Sequence, residues 1–319
     1  MSIYENLEPT DFDEINTYEL ASRPSKITVK DFAEPVLEDD SLKEFLKKFP
    51  NILAVKSIRK IAENIVRAKK LNKPIIWGIG GHVIKTGLSP ILIDLMKHGF
   101  LTAIATNGSV LVHDTEIALV GFTSEDVDAA LGKGDFGAAK ETGEILNEAA
   151  RKGQKDKIGL GEAMCREVSQ INPEFEDYSI LCQSYKNKIP LTSHLTIGAD
   201  IGHFHASADG SALGETSHTD FKLFCSLIKE MNGGGVYLNY GSAVTLPEIF
   251  LKAITVNRNL GFEISDITTA NFDFIQHYRP NTNVIRRPTA DGAGRGFSIT
   301  GHHELTLPLL TAFIVSNSD

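Results

Sequence analysis

Cysteine is scarce in this chain. Cys165, Cys182 and Cys225 are its three, and their lack of pattern excludes a disulfide framework and points to a reducing compartment. Positive charge is in deficit too: a net charge of −9 leaves no lysine and arginine excess to displace counterions from nucleic acid, and disfavours anionic membranes for the same reason. No apolar run approaches the roughly 20 residues of a membrane span, and the start, MSIYENLEPTDFDEI, is acidic. The expectation is a cytoplasmic protein with a small-molecule substrate and neither a nucleic-acid nor a membrane partner. Two signatures are missing as well. Lys133 and Gly134 resemble a fragment of a phosphate loop without completing G-x-x-x-x-G-K-[ST], and the turn at Gly241 does not match G-x-G-x-x-G.

What is present suffices for a large core, since 42% of the 319 residues are hydrophobic. The predicted organisation is an N-terminal arm over residues 1–50 and a single nucleotide-binding α/β domain over 51–319. Val55, Ile58, Ala62, Ile65 and Val66 recur at helical spacing opposite Lys56, Arg59, Lys60 and Arg67. The chain then reads IIWGIGGHVIKTGLSPILIDLMKHGFLTAIATNGSVLVHDTEIAL from Ile75 to Leu119. Ile75 to Ile79 is too short for a helix, and Gly80 and Gly81 close it with a turn that a ligand can approach. Leu88, Ile91, Leu92, Leu95 and Met96 mark a helix that Gly99 stops. Phe100 to Ala105 leads into a second polar turn, Thr106 to Ser109. Two successive strand–turn–helix units predict a parallel sheet, with ligands at the carboxyl ends of its strands.

Further along, Ser124 reads as a helix cap ahead of Glu125 and Asp126. Val236 to Tyr240 is a third such strand, and it leads through Gly241, Ser242 and Ala243 into a helix with Pro247 in its first turn. Small residues at that turn suit an anion on free backbone amides or tight helix-to-sheet packing. A helix is predicted over Thr219–Met231, a strand over Ile264–Thr269, and a buried C-terminal helix through Leu305, Leu307, Leu310 and Phe313. Between the last two, Arg279, Arg286, Arg287 and Arg295 crowd into a glycine- and proline-rich loop. Their planar guanidinium forks fit carboxylate or phosphate recognition, or salt bridges to the acidic surface. His203 and His205, in His-x-His spacing near Asp200 and Asp209, suit a metal site on an extended chain, or histidines held by hydrogen bonds.

In order and spacing, several segments resemble the deoxyhypusine synthase family. GGHVIKTGL (Gly80–Leu88) is similar to the family's S-N-L-I-S-S-G-L turn, and TNGSVLVHDTEIAL (Thr106–Leu119) to its T-T-A-G-G-V-E-E-D-L-I-K-C-L. KIPLTSHLTIGADIG, GSAV at Gly241–Val244, ITTA at Ile267–Ala270 and ELTLPLL at Glu304–Leu310 follow in family order. The resemblance implies a Rossmann-like parallel sheet flanked by helices, NAD as cofactor and a homotetramer. It also implies cofactor contacts from Gly80, Gly81, His82, Lys85, Thr86, Asn107, Gly108, Ser109, Asp114, Gly241, Ser242, Thr269 and Ala270.

The family oxidises spermidine with NAD and carries the aminobutyl group on a lysine, and here this sequence departs. Thr282 stands where an acid is expected, Pro288 where the lysine is, and Pro247 where the catalytic histidine is. Arg286 and Arg287 replace a tryptophan and a glycine, and arginine's pKa is too high for imine chemistry. The expected function is therefore an NAD(P)-dependent transferase or oxidoreductase that does not make deoxyhypusine. Its substrate is expected to be anionic, held by Arg279, Arg286 and Arg287, with His113, His203 or His205 as the acid–base group. Histidine and lysine at 82 and 85 also suit NADP. A metal-dependent hydrolase using His203 and His205, and a non-catalytic nucleotide-binding protein, are the alternatives.

Overall fold

The computed structural model describes residues 6–290, 292 and 294–318. Residues 1–5, where the expected arm begins, lie outside them, as do Asp291, Ala293 and Asp319. From Leu7 to Leu37 the backbone forms only short 3-10 turns, at Leu20–Ser22 and Val29–Asp31, and Leu7, Phe12, Tyr18, Leu20 and Val29 are exposed. Helix α1 (Leu42–Lys47) starts on a capping box in which Ser41 and Glu44 satisfy each other's backbone amides. Helix α2 (Leu53–Lys70) buries Ile58, Ile61, Ala62, Ile65 and Val66, the stripe its spacing predicts.

Strand β1 (Ile75–Ile79) then opens the sheet, followed by α3 (Gly81–Lys85), α4 (Ser89–Lys97), β2 (Ala103–Thr106), α5 (Gly108–Val120), α6 (Val127–Leu131), α7 (Lys140–Asp156), α8 (Leu160–Gln170) and α9 (Ile180–Asn187). Next come β3 (Leu191–Ser193), α10 (Gly210–Lys229), β4 (Val236–Tyr240), α11 (Thr245–Asn259), β5 (Thr268–Asp273), a π-helical segment Pro280–Arg286, β6 (Arg295–Thr300) and α12 (His303–Ser316). The strands form one six-stranded sheet in the order β3-β2-β1-β4-β5-β6. Every neighbouring pair is parallel. This is the doubly wound α/β architecture, and its strand order reverses between β1 and β4.

Strand alternation sends side chains to two cores. Ile75, Trp77, Ile79, Leu238, Tyr240 and Phe272 pack with residues of α2, α4, α8, α9 and α12. Ile76, Ala105 and Tyr237 face Phe224 and Ile228 of α10 and Phe250 and Ile254 of α11, with the Tyr237 and Phe250 rings stacked at 4.0 Å. At the end of α4, Gly99 takes φ 71°, the left-handed stop its position predicts.

Four expected boundaries move, each for a local reason. The strand expected over Ile264–Thr269 is β5 at Thr268–Asp273, because the ladder to β4 pairs Val236 with Thr268 and Tyr240 with Phe272. Helix α10 starts at Gly210 rather than near Thr219, since the Asp209 carboxylate accepts from the amides of Ser211 and Ala212. Ser124 does not cap a helix: it has φ 71°, and Asp126 caps α6 through the Ala129 amide. The arginine-bearing loop is partly regular structure, with Arg286 in the π-helical segment and Arg295 opening β6.

Two buried carboxylates fasten the long β2-to-β4 excursion. Asp114 on α5 accepts from Ser179 Oγ at 2.5 Å and from the amides of Ile180 at 2.8 Å and Leu181 at 3.0 Å. Asp220 on α10 accepts from the amides of Gly161 at 2.7 Å and Ser193 at 2.8 Å. Burial pushes the Asp220 carboxyl up from 3.8 to about 7, against those hydrogen bonds, which lower it. A folded pKa above the unfolded one means that the native state binds the proton more tightly. The resulting stability is complete below about pH 4 and is lost as the pH rises to about 7. Asp220→Asn keeps an oxygen for both amides and removes the titration. Its stability relative to wild type, measured by urea unfolding, should therefore rise steadily between pH 4.5 and pH 8, and a pH-independent difference would contradict this account.

Candidate functional site

The carboxyl ends of β1 and β4 meet at the point where the strand order reverses, and the residues there are small because the backbones touch. The Gly80 amide donates to the Tyr240 carbonyl at 2.8 Å, and a Cβ on Gly80 would lie 2.2 Å from the Gly241 carbonyl oxygen. Gly241 itself has φ 69°, and a Cβ there would lie 2.7 Å from Cε1 of His303. The turn is thus shaped by a histidine arriving from the start of α12. Beneath it, Asn239 donates to Asn271 Oδ1 at 2.7 Å and to the Ser242 carbonyl at 2.9 Å. Asn271 in turn donates to Gln276 Oε1 at 2.8 Å. This ladder ties β4, β5 and the segment after β5 together, while buried Asn239 Oδ1 has no partner among the described residues.

Beside this crossing, a cleft of about 180 Å³ opens between α3, α5 and the segments around Glu125 and Asp200. Lys85, Ser109 and His113 line it, together with Glu116, Glu125 and Asp200. His113 Nδ1 lies 2.8 Å from Thr123 Oγ1, and the same hydroxyl donates to Glu116 Oε2. Because a threonine hydroxyl has one proton, it accepts from His113 Nδ1–H, and Nε2 of His113 is left as the acceptor. Burial raises the Glu116 carboxyl, but hydrogen bonds associated with His113 and Thr123 outweigh it and hold the group below its ordinary value. Asp200 lies against α5, its Oδ2 2.2 Å from where a Cβ on Gly108 would sit. Burial pushes Asp200 up and His203 opposes the shift.

The other predicted residues divide sharply. Gly80, Gly81, Gly241 and Ser242 frame the strand crossing, where Ser242 Oγ accepts from the Leu246 amide at 3.2 Å. Asn107 precedes α5 and makes no cap to it, accepting from Ser109 Oγ at 2.8 Å instead. The Thr86 hydroxyl donates to the carbonyls of His82 and Val83. Asp114 is fully buried and its donors come from the start of α9, so it is an internal cap that faces no ligand. Thr269 and Ala270 are fully buried at the amino half of β5, away from the carboxyl edge, which Phe272 and Asp273 occupy.

The His-x-His pair does not share one extended segment. His203 lies in a 3-10 turn, Ile201–Phe204, where its Nδ1 accepts from the Gly198 amide at 3.1 Å, while His205 follows the turn in extended backbone and its Nε2 meets the Gly137 carbonyl at 3.0 Å. Among the described residues no group of His, Cys, Asp or Glu could hold a metal ion. Arg279 pairs with Glu248 of α11 at 3.2 Å, and Arg287 donates to Asn283, which donates to that same Glu248. Sequence reading missed His303, whose signal was only its place next to His302 at a helix start. It also missed Thr123, Glu116 and Glu125 as cleft residues. Gly241→Ala combines a left-handed backbone with a clash on the His303 ring, so a loss of about 1–3 kcal/mol is expected in denaturant unfolding. A loss below about 0.5 kcal/mol would show that the ring moves aside freely.

No protein-family model matches the chain. Among curated proteins, it is similar to an ornithine cyclodeaminase of Methanothermobacter thermautotrophicus, 30% identical over 108 residues, which is 34% of this chain and 26% of that protein. Among solved structures it superposes on a LOR/SDH-like protein of Methanococcus maripaludis S2 with a TM-score of 0.51 at 16% identity, covering 83% of this chain and 70% of that one. AgrE in a ternary complex with ornithine and NAD+ matches with a TM-score of 0.52 at 15% identity, over 82% of this chain and 33% of AgrE. The chain thus spans about a quarter of the curated relative and a third of AgrE. A deoxyhypusine synthase-like protein of Entamoeba histolytica reaches a TM-score of 0.49 at 13% identity. At these identities the likeness is one of fold.

Proposed function

We propose that the protein is an NAD(P)-dependent enzyme acting on a small amine, an amino acid by class, and not a deoxyhypusine synthase. The observation that carries this reading is the crevice at the carboxyl ends of β1 and β4, where the strand order of an all-parallel sheet reverses, walled by backbone at Gly80, Gly81, Gly241 and Ser242. Ligands of doubly wound folds bind in such a crevice, outside the carboxyl ends of the strands. The residues fit a dinucleotide. The free Asn239 Oδ1 lies at the crevice, α5 begins without a side-chain cap, and Lys85 has no salt-bridge partner among the described residues. Gly80, Gly81, Lys85, Ser109 and Ser242 would hold the cofactor, whose nicotinamide supplies reversible two-electron oxidation when bound. That AgrE binds NAD+ and ornithine, and that part of the chain matches an ornithine cyclodeaminase, support the same class.

The substrate expectation changes. Arg279 and Arg287 are engaged near Glu248, and the cleft presents Glu116, Glu125 and Asp200 against Lys85 and His113. That balance favours an ammonium group over a purely anionic ligand. His113, oriented by Thr123 and Glu116, is the acid–base group of the cleft. Exposed apolar residues along Leu7–Leu37 support the homotetramer that the family resemblance implies. No helix among the described residues is long and apolar enough to cross a membrane.

Thermal shift with NAD+, NADP+, ADP-ribose and zinc at matched concentration tests the reading. A nucleotide at about 100 times its dissociation constant should add roughly 2.7 kcal/mol, and no shift with any nucleotide ends it. Lys85→Ala should weaken that nucleotide about tenfold, or ~1.4 kcal/mol, with the ligand-free melting temperature unchanged. Bound nucleotide without turnover of L-ornithine or other amino acids would leave a non-catalytic binding protein.

A further inference from the structure

Where β1, β4 and β5 end, two histidines from distant parts of the chain share a hydrogen bond. His82 Nδ1 and His303 Nδ1 are 2.9 Å apart, and His303 Nε2 lies 3.1 Å from the Phe272 carbonyl oxygen. A carbonyl only accepts, so His303 carries its proton on Nε2, and a neutral His303 has a bare Nδ1. The bond between the rings then requires His82 to donate from Nδ1, which strips Nε2 of a proton. His303 is fully buried, and burial lowers its pKa, against the Phe272 hydrogen bond and nearby Asp273 and Glu304, which raise it. The ring therefore stays neutral and the chain of donors runs one way.

The surroundings fit a proton acceptor at this place. His82 is exposed while its partner is not. Phe274 stands 5.9 Å from it, and the same Phe274 ring stacks on His302 at 5.9 Å. Asp273 at the end of β5 and Glu304 at the start of α12 are the acidic groups that act on His303, and His82 opposes them.

We propose that His303 is a positioning residue which fixes the tautomer of His82, and that Nε2 of His82 is the base that deprotonates the substrate's ammonium group at the strand crossing. In that step an N–H bond of the substrate breaks, its electron pair stays on nitrogen, and the proton bonds to Nε2. His82 becomes an imidazolium that still donates from Nδ1 to His303. Oxidation of the adjacent carbon is left to the nicotinamide class of cofactor, so the inference rests on the reading above. A route through transient oxidation needs proton transfers at more than one atom, and His82 and His113 divide them.

Long-range ¹H–¹⁵N correlation spectra of the full chain with ¹⁵N-labelled histidine, recorded near pH 8 and assigned with His82→Gln, test the assignment without substrate or cofactor. Expected are a protonated Nδ1 and a bare Nε2 on His82, and the reverse on His303. In His303→Phe, which keeps an aromatic ring against Tyr240 and removes the acceptor, His82 should revert toward protonation at Nε2. A wild-type His82 protonated at Nε2 overturns the proposal whether or not that variant folds. With NAD+ and L-ornithine as probes, His82→Gln should lower kcat about 10²–10⁴-fold and leave NAD+ affinity within twofold, and full activity in that variant also overturns it. A wild type that no nucleotide stabilises, yet whose His82 shows the expected tautomer, would sink the cofactor reading alone.

Discussion

The close approach of two backbones, Gly80 just after β1 and Gly241 just after β4, is the constraint around which the site is built. A side chain at Gly80 would force the strand ends apart, because the Gly241 carbonyl already fills the space, and one at Gly241 would push against the ring of His303. Strand separation in a parallel sheet is set by hydrogen bonding, so such a wedge would be paid in ladder geometry at the centre of the sheet. Holding the ends together lets the Asn239–Asn271–Gln276 ladder form beneath them. It also brings α12 to β1 although 221 residues separate His82 from His303 in sequence.

The buried carboxylates have a different logic. Asp114 and Asp220 each accept hydrogen bonds from backbone amides, at the starts of α9 and α8 and at the end of β3, so they hold these segments in place. Burial raises both carboxyls, to about 6 in Asp114 and about 7 in Asp220. Carboxyls perturbed in this way often mark active sites. Here the geometry assigns them to architecture, because their donors are internal amides and neither side chain is exposed.

The sheet was legible because its strands are short apolar runs that end in glycine or polar turns: β1 and β4 were placed to the residue, and the helices after them follow from spacing and small turn residues. Errors came where long-range partners decide. The ladder to β4 moved β5 toward the C-terminus and took Thr269 and Ala270 from the carboxyl edge to the interior. Resemblance to a family motif put Asp114 at a cofactor, yet only the fold shows that α9 starts against it. Of the histidines, His113 was singled out from the sequence but its Thr123–Glu116 backing was not, since a hydroxyl ten residues away carries no periodic signal. His303 was hidden for a stronger reason: its contact with Gly241 appears only once α12 lies over the sheet.

The departures from the deoxyhypusine synthase pattern gain a physical sense in this frame. Pro247 is buried in the first turn of α11, where a missing amide costs nothing, and the Pro288 carbonyl accepts from Arg258 at 3.1 Å. Positions where the resemblance places a histidine and a lysine therefore shape backbone in this chain, on the β4–β6 side of the crossing. The polarised imidazoles lie elsewhere: His113 is on α5 after β2, and His82 is on α3 after β1. A parallel sheet permits that exchange because every strand delivers its carboxyl end to the same edge. A polar group at the end of one strand can stand in for one at the end of another without moving the crevice between β1 and β4. What must be retained is the crossing itself, since the tautomer of His82 depends on His303, and His303 depends on a glycine at 241.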